Sequence, residues 1–293
     1  MVGMLSLIIP CQEDAILLFP TLKSIFSNDF APQDFEVLLI CSDKVPISEK
    51  NLEFPVQVYS GVFRGQAQAL NWGLERARGD VVCTTKPGCV VASNWLSEIT
   101  RFLQHNPEVD CVGGRVLPCW EYGTKIQKIA SQIFSEEQGF SDSVTILKPS
   151  AYQGLVHATN SAFRKEVLNS TKFDECFKYD YDFDICWKLV QKGHCIAYNP
   201  EMKVQYIFPL SMRDLLKRYY YWGKENMVLR KKYSDRERLK TFLYMPYATY
   251  RSLLQPPLLV SRKKMLRFVQ HAEFNVGCLR GIVTPLKPCA VRR

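Results

Sequence analysis

Residues 64–96 read R-G-Q-A-Q-A-L-N-W-G-L-E-R-A-R-G-D-V-V-C-T-T-K-P-G-C-V-V-A-S-N-W-L, and this stretch indicates the fold class. Four of its apolar residues recur at helical spacing, namely Ala67, Leu70, Leu74 and Ala77. This spacing predicts an amphipathic helix over residues 65–78. Gly79 ends that helix, and residues 80–85 have the apolar, β-branched character of a short strand. The tripeptide 86–88, Lys-Pro-Gly, predicts a turn after the strand.

Short apolar strands alternate with helical patterns through the first 105 residues. Strands are predicted at residues 5–9, 35–41 and 55–59, and helices are predicted after the strands at 5–9 and 55–59. Such an alternation predicts an α/β fold with a three-layer, mostly parallel sheet. Ligands bind beyond the carboxyl ends of the strands in sheets of this kind. The positions of interest are therefore residues 11–14, 41–43, 60–64 and 86–88. Further along the chain, residues 141–153 are predicted to form a mobile loop.

The composition of the chain is typical of a globular protein. The chain has 293 residues, 47% of them hydrophobic and 23% charged, which suits one α/β domain with a helical extension. Its eleven cysteines form no C-x-x-C pair and its four histidines are dispersed, which argues against a zinc module and favours a reducing cytosol. The sequence contains neither a secretory leader nor an apolar run long enough to span a bilayer, so a cytoplasmic location is expected.

The basic excess lies in the last part of the chain. The net charge is +9, and residues 213–293 hold 19 Lys and Arg against 5 Asp and Glu. Basic residues beside aromatic ones fit a helix lying on an anionic membrane surface. A helical extension that packs on the catalytic domain explains the pattern equally well. Nucleic acid is not expected as a partner, because no nucleic-acid-binding module accompanies the charge.

Several motifs in order resemble the inverting family 2 glycosyltransferases. Residues 65–79 follow that family's donor-side pattern G-x-x-x-A-L-N-x-G-L-x-x-A-x-G. Residues 158–168, Phe173-Asp-Glu and residues 181–189 resemble its acceptor-side strings N-x-A-F-R-R-x-V-L, F-D-E and E-D-x-D-L-C-x-R-L. The resemblance covers about residues 4–233.

The resemblance implies a GT-A-like fold and a domain division. A glycosyltransferase domain is expected over residues 1–210, with a donor half at about 1–118 and an acceptor half at about 119–210. A basic helical extension follows at 211–293. The implied reaction moves a sugar from a nucleotide-diphosphate donor to a glycan or lipid-linked acceptor, in the building of a cell-surface glycan. The alternative is a non-catalytic relative that binds a glycan, a nucleotide or a partner enzyme.

The resemblance assigns the acceptor side. Asp182 matches the carboxylate that acts as general base, Asp184 matches the second acidic position, and Tyr181 replaces the usual Glu. Alternatively, the two aspartates merely favour a helix N-terminus through its dipole. Asn160 is assigned to the acceptor cleft or to a turn before a predicted helix at 162–168. Trp222 is assigned either to stacking on an acceptor sugar or to packing within a helix.

The donor side departs from the family in several segments. The implied donor-binding residues are Pro10, Glu13, Asp43, Arg64, Asn71 and Lys86. The family's Asp-x-Asp, which holds a divalent ion, is replaced by Lys86-Pro87-Gly88, and its V-x-H histidine is replaced by Tyr206. Hard cations need oxygen ligands, so neither Mg²⁺ nor Mn²⁺ is expected at the usual place and no cofactor is predicted. Asn71 either contacts the donor or bonds a neighbouring backbone carbonyl.

Lys86 has two interpretations. As a cation facing the diphosphate, it would contribute roughly 4 kcal/mol at about 4 Å and an effective dielectric near 20, about half of what a divalent ion supplies. Alternatively, it is a solvated residue of a Pro-Gly turn in a protein that no longer transfers sugar.

Overall fold

The computed structural model describes residues 3–12, 15–45, 47–49, 52–119, 121, 124–138, 141–147, 156–207, 212–233 and 262–284. In order along the chain, the strands are β1 Leu5–Cys11, β2 Phe35–Ser42, β3 Gln57–Gly61, β4 Val81–Thr84, β5 Cys89–Val91, β6 Val109–Pro118, β7 Thr145–Leu147, β8 Ser161–Arg164 and β9 Cys195–Tyr206. The α-helices are α1 Leu18–Phe26, α2 Gln66–Leu74, α3 Trp95–His105, α4 Lys125–Gln138, α5 Lys165–Thr171, α6 Tyr181–Gln191, α7 Met212–Tyr233 and α8 Arg262–Val283.

The described strands form one sheet in the order β3-β2-β1-β4-β8-β6-β9-β5, with β7 paired to β9. Pairing is parallel across β3, β2, β1 and β4, as the β-α-β-α pattern predicts. Beyond β4 the sheet is mixed, because β8 runs antiparallel to both of its neighbours while β9 runs parallel to β6. The carboxyl ends of the parallel strands therefore meet at one edge.

Helices cover both faces of the sheet and give the predicted three layers. One core contains Trp95 and Leu22, from α3 and α1, against one face of the central strands. The other core contains Leu70 and Ile185, from α2 and α6, against the opposite face. Strand β1 is buried along its whole length, because helices pack against both of its faces. The predicted α/β class is confirmed.

Two local predictions are wrong. The helix predicted at 162–168 is instead strand β8 followed by α5, because residues 161–164 pair with β4 and β6 on both sides. The segment 141–153, predicted as a loop, includes strand β7 in its described part, which pairs with β9.

Helices α7 and α8 pack with their backbones in contact. A Cβ atom built on Gly223 of α7 would collide with the carbonyl oxygen of Phe274, and one built on Gly277 of α8 would collide with that of Tyr220. Only glycine permits this approach at the two positions. Within the described ranges, neither of these helices nor any other is both long enough and apolar enough to cross a bilayer.

Candidate active site

A cavity of about 850 Å³ lies at the carboxyl ends of the parallel strands. Gln12, Asp43, Arg64 and Lys86 line it, and each comes shortly after the end of a strand, β1 to β4 in turn. The facing wall is formed by the start of α6 and by α7, with one contribution, Phe274, from α8. A volume of this size is typical of a small-molecule site.

Five of the residues assigned from the sequence line this cavity, namely Asp43, Arg64, Lys86, Asp182 and Trp222. Four others do not line it, namely Pro10, Asn71, Asn160 and Asp184. Glu13 lies outside the described residues. The donor-side residues Asp43 and Arg64 are exposed at the cavity, whereas Pro10 is buried within β1.

The turn that carries Lys86 is fixed from two sides. The Gly88 N–H donates to the carbonyl of Leu17 at 3.1 Å and to the hydroxyl of Thr21 at 3.0 Å. The Gly88 carbonyl accepts from the Ile207 N–H at 2.8 Å. Gly88 has a φ of 89°, and a Cβ atom there would lie 2.9 Å from the Ile207 carbonyl oxygen. An aspartate at position 88, as in the family's Asp-x-Asp, would be strained in this backbone.

Tyr206 lies between two cations. The Lys86 Nζ is 4.7 Å from the centroid of the Tyr206 ring, and Arg218 Nη1 on α7 donates to the Tyr206 hydroxyl at 3.2 Å. The Arg218 guanidinium also lies 4.8 Å from the Trp222 ring centroid. Sequence reasoning missed Arg218, although its spacing of four residues from Trp222 on a predicted helix was a usable signal.

Asp182 lies in the first turn of α6 and is oriented by backbone donors. Its Oδ2 accepts from the Ala158 N–H at 3.1 Å, and its Oδ1 accepts from the Phe183 N–H at 2.9 Å. The Nδ1 of His157 is 3.8 Å from Oδ2. The Asp182 side chain is 14% exposed, so it reaches the cavity while its orientation is fixed.

A second, buried carboxyl group lies beside Asp182. Asp180 is 3% exposed, and its Oδ2 has no hydrogen-bond partner among the described residues. Burial, reinforced by the charges of Glu225 and Asp182, raises the pKa of Asp180 well above its ordinary value. Glu225 on α7 accepts from the backbone N–H groups of Lys178, Tyr179 and Asp180, the three residues that precede α6. Sequence reasoning missed both acids.

Asp184 is fully buried and connects α6 to α7. Its Oδ1 accepts from Lys232 Nζ and from the Tyr233 hydroxyl, each at 2.7 Å, and Lys188 Nζ lies 2.9 Å from its Oδ2. These contacts turn the carboxylate away from the cavity. The second acidic position of the motif therefore holds two helices together in this chain.

The two assigned asparagines are also buried in hydrogen-bond networks. Asn160 accepts from Trp95 Nε1 at 2.8 Å and donates to the carbonyls of Met202 and Arg115 at 2.7 and 3.0 Å. Asn71 donates to the Phe173 carbonyl and accepts from the Phe173 N–H, both at 2.9 Å. The second interpretation of Asn71, a bond to a backbone carbonyl, matches this geometry.

The described lining is cationic overall. It includes the basic residues Lys44, Arg64, Lys86, Lys178, Lys217 and Arg218. It includes the acidic residues Asp43, Asp180, Asp182 and Asp214. In the described part of the chain, His, Cys, Asp and Glu side chains form no group of three or more that could hold a metal ion. Such a lining suits a ligand with several negative charges.

Comparison with protein families gives two matches. The family described as Glycosyl transferase family 2 matches residues 6–171, and the one described as Glycosyl transferase family group 2 matches residues 89–281. A Haloferax volcanii protein named glucosyl-dolichyl phosphate glucuronosyltransferase is 19% identical, over 90% of this chain and 91% of its own length.

A second curated relative comes from Methanococcus voltae. It is named dolichyl N-acetyl-alpha-D-glucosaminyl phosphate 3-beta-D-2,3-diacetamido-2,3-dideoxy-beta-D-glucuronosyltransferase. It is 22% identical over 78% of this chain and 75% of its own length.

Solved structures share the fold. The mannosyltransferase PcManGT from Pyrobaculum calidifontis, in complex with GDP-Man and Mn²⁺, aligns with a TM-score of 0.65 at 14% identity, over 97% of this chain and 88% of its own. S. aureus TarS 1-349 in complex with UDP-GlcNAc aligns with a TM-score of 0.60 at 13% identity, over 94% and 90%. The chain belongs to glycosyl transferase family 2 and is a glycosyltransferase of GT-A fold.

Proposed function

We propose that this enzyme transfers a sugar, with inversion and without a divalent metal, from a nucleotide-diphosphate donor to a lipid-linked glycan. The observation that carries the proposal is the Lys86 side chain at the cavity end of β4, in the segment where the family has its metal-binding carboxylates. Because Lys86 lines the cavity, its ammonium group can face a donor diphosphate bound there.

The inverting step requires a base on the acceptor side of the cavity. Asp182 fits this role, because its carboxylate is held by two backbone N–H groups and remains accessible from the cavity. In a single displacement, it takes the proton of the acceptor hydroxyl as the oxygen attacks the anomeric carbon. One displacement inverts the configuration at that carbon.

The leaving diphosphate needs positive charge. One cation at about 4 Å contributes roughly 4 kcal/mol at an effective dielectric near 20, about half the contribution of a divalent ion. Lys86 supplies one such charge. Arg64 and Lys44 line the same cavity from the donor side and add to the positive potential.

The acceptor class is inferred from the curated relatives. Two of them are named for dolichyl-phosphate-linked acceptors, and this chain spans most of the length of each. Trp222 and Phe274, at the α7 and α8 side of the cavity, offer rings on which an acceptor sugar can stack. The basic segment 213–293 would hold the enzyme at the cytoplasmic face of an anionic membrane, where a lipid-linked acceptor is found.

A donor screen tests the proposal. GDP-mannose, UDP-N-acetylglucosamine and UDP-glucuronic acid would each be titrated by calorimetry, with EDTA and then with added Mn²⁺. At least one donor is expected to bind, with an affinity that EDTA leaves unchanged. Transfer to a polyprenyl-phosphate-linked sugar should give a product of inverted anomeric configuration by NMR. Binding that appears only with Mn²⁺, or a product of retained configuration, would refute the proposal.

A further inference from the structure

We propose that Arg218 and Lys86 act together as a two-cation clamp on the donor diphosphate, with Tyr206 as the spacer between them. The inference rests on the metal-independent function proposed above and deepens it. It assigns α7, which lies outside the strand-and-turn motifs of the donor half, a direct part in donor binding.

The three side chains are fixed relative to one another. The Lys86 Nζ packs over the Tyr206 ring at 4.7 Å from its centroid, and Arg218 Nη1 bonds the hydroxyl of the same tyrosine at 3.2 Å. The two cations thus contact the face and the tip of one buried ring, which is 2% exposed. All three residues line the cavity.

Secondary structure holds this arrangement in place. Tyr206 ends β9 and pairs directly with Cys89 of β5, so the strand pairing fixes it next to the Lys86 turn. The N–H of Ile207 closes the same junction by bonding the Gly88 carbonyl. Arg218 is oriented on the other side by Trp222, whose ring centroid lies 4.8 Å from the guanidinium.

The pair restores the charge that a divalent ion would supply. Lys86 alone carries half of that charge, and Arg218 brings the total to +2. A guanidinium group also presents several N–H donors in a planar fork that matches phosphate oxygens. The aromatic neighbours keep both cations partly out of water, where their attraction to an anion is stronger.

The clamp acts on the bond that breaks. The acceptor oxygen forms a bond to the anomeric carbon while the bond from that carbon to the diphosphate oxygen breaks. The electron pair of the broken bond leaves with the diphosphate, and the acceptor proton passes to Asp182. The clamp stabilises the negative charge that develops on the leaving oxygen.

The test compares nucleoside diphosphates with monophosphates. UDP, GDP, UMP and GMP would be titrated in EDTA against the unaltered protein, Arg218→Gln, Lys86→Met and the double variant. Each single variant is expected to weaken diphosphate binding about 10- to 100-fold, the value of a hydrogen bond to a charged group. Monophosphate binding should change little, because the clamp contacts the terminal phosphate.

Further variants separate binding from folding. Arg218→Lys keeps the charge and Tyr206→Phe keeps the ring, so each should show a smaller diphosphate loss than Arg218→Gln, with a similar melting temperature. Lys203→Met is the matched control, because Lys203 lies on the same strand as Tyr206 and pairs with Glu201 at 2.9 Å outside the cavity. It should leave both affinities unchanged.

The outcomes distinguish the two proposals. Equal losses for mono- and diphosphates, or unchanged diphosphate binding in Arg218→Gln, would overturn the clamp and leave metal-independent transfer standing. If the unaltered protein binds none of these nucleotides in EDTA, or binds a diphosphate only with Mn²⁺, both the proposed function and the clamp are refuted.

Discussion

The Oδ2 atom of Asp182 lies 3.8 Å from Nδ1 of His157 and accepts the N–H of the next residue, Ala158. Two consecutive residues of the acceptor half thus contact the carboxylate in the first turn of α6. His157 is itself 5% exposed and packs edge-on against the Phe183 ring, at 5.5 Å between centroids. The carboxylate of the proposed base is therefore positioned by a backbone N–H group and by a buried, packed histidine.

Asp182→Asn should abolish most of the turnover without abolishing donor binding. The amide keeps the shape of the carboxylate but cannot take the acceptor proton, so kcat should fall about 10²- to 10⁴-fold. Initial transfer rates and calorimetric donor titrations would be measured side by side. Asp142→Asn is the control, because that side chain is 96% exposed outside the cavity. An Asp182→Asn enzyme with normal kcat would exclude this residue as the base.

Gly88→Ala should destabilise the protein more than Gly193→Ala. Both glycines have positive φ, 89° and 85°, so alanine costs about 1–2 kcal/mol at either position. A Cβ at Gly193 meets nothing within 4 Å, whereas one at Gly88 lies 2.9 Å from the Ile207 carbonyl oxygen. The additional cost at Gly88 should be about 1–3 kcal/mol in urea unfolding. Equal losses in the free energy of unfolding would mean that the turn carrying Lys86 accommodates the added methyl group without strain.

Asp180→Asn should change how stability depends on pH. The folded-state pKa of Asp180 is raised by burial, then by Glu225 and Asp182, so the folded protein holds a proton that the unfolded chain releases above about pH 4. The contribution of Asp180 to stability should therefore fall as the pH rises above that value, by about 1.4 kcal/mol per pH unit until its folded-state pKa is reached. The variant should lack this loss.

Urea unfolding curves recorded about every pH unit between about pH 4 and 9 would measure the free energy of unfolding. Asp34→Asn, at an exposed position before β2, should leave the pH dependence unchanged. If Asp180→Asn and the unaltered protein lose stability in parallel, Asp180 is ionised in the folded state.

Asn160→Ala should act on stability through Trp95. The substitution removes the acceptor of the Trp95 indole N–H and the donor to two backbone carbonyls, and each buried group left without a partner costs about 1–3 kcal/mol. Chemical unfolding would measure the loss. Trp95→Phe removes the indole N–H, so the double variant should cost less than the two single losses added together. Strict additivity would contradict the hydrogen bond.

The regular elements were predictable where local pattern and tertiary packing agree. The helix over Gln66–Leu74 and the buried strands β1 and β2 follow from the spacing of apolar residues. Strand β8 was not predictable in this way. Its four residues directly precede α5, and they form a strand because they pair with β4 and β6. Non-local pairing overrode local preference there.

The candidate site divides in the same way. Asp43, Arg64 and Lys86 could be anticipated, because the carboxyl ends of parallel strands lie at one edge. Arg218 and Asp180 could not be anticipated, since their places depend on how α7 packs against α6. The bonds of Glu225 to the backbone before α6 and the buried contacts of Asp184 join the two helices. No periodicity in the sequence encodes these contacts.

The glycine contact between α7 and α8 has a consequence for substrate choice. Because Gly223 and Gly277 allow the two backbones to touch, the helices pack closely against each other. Trp222 and Phe274 lie on the side of this helix pair that lines the cavity. Larger residues at either glycine would force the two backbones apart and so shift these two rings. Engineering for bulkier acceptors could therefore start at these remote positions, leaving the reacting groups untouched.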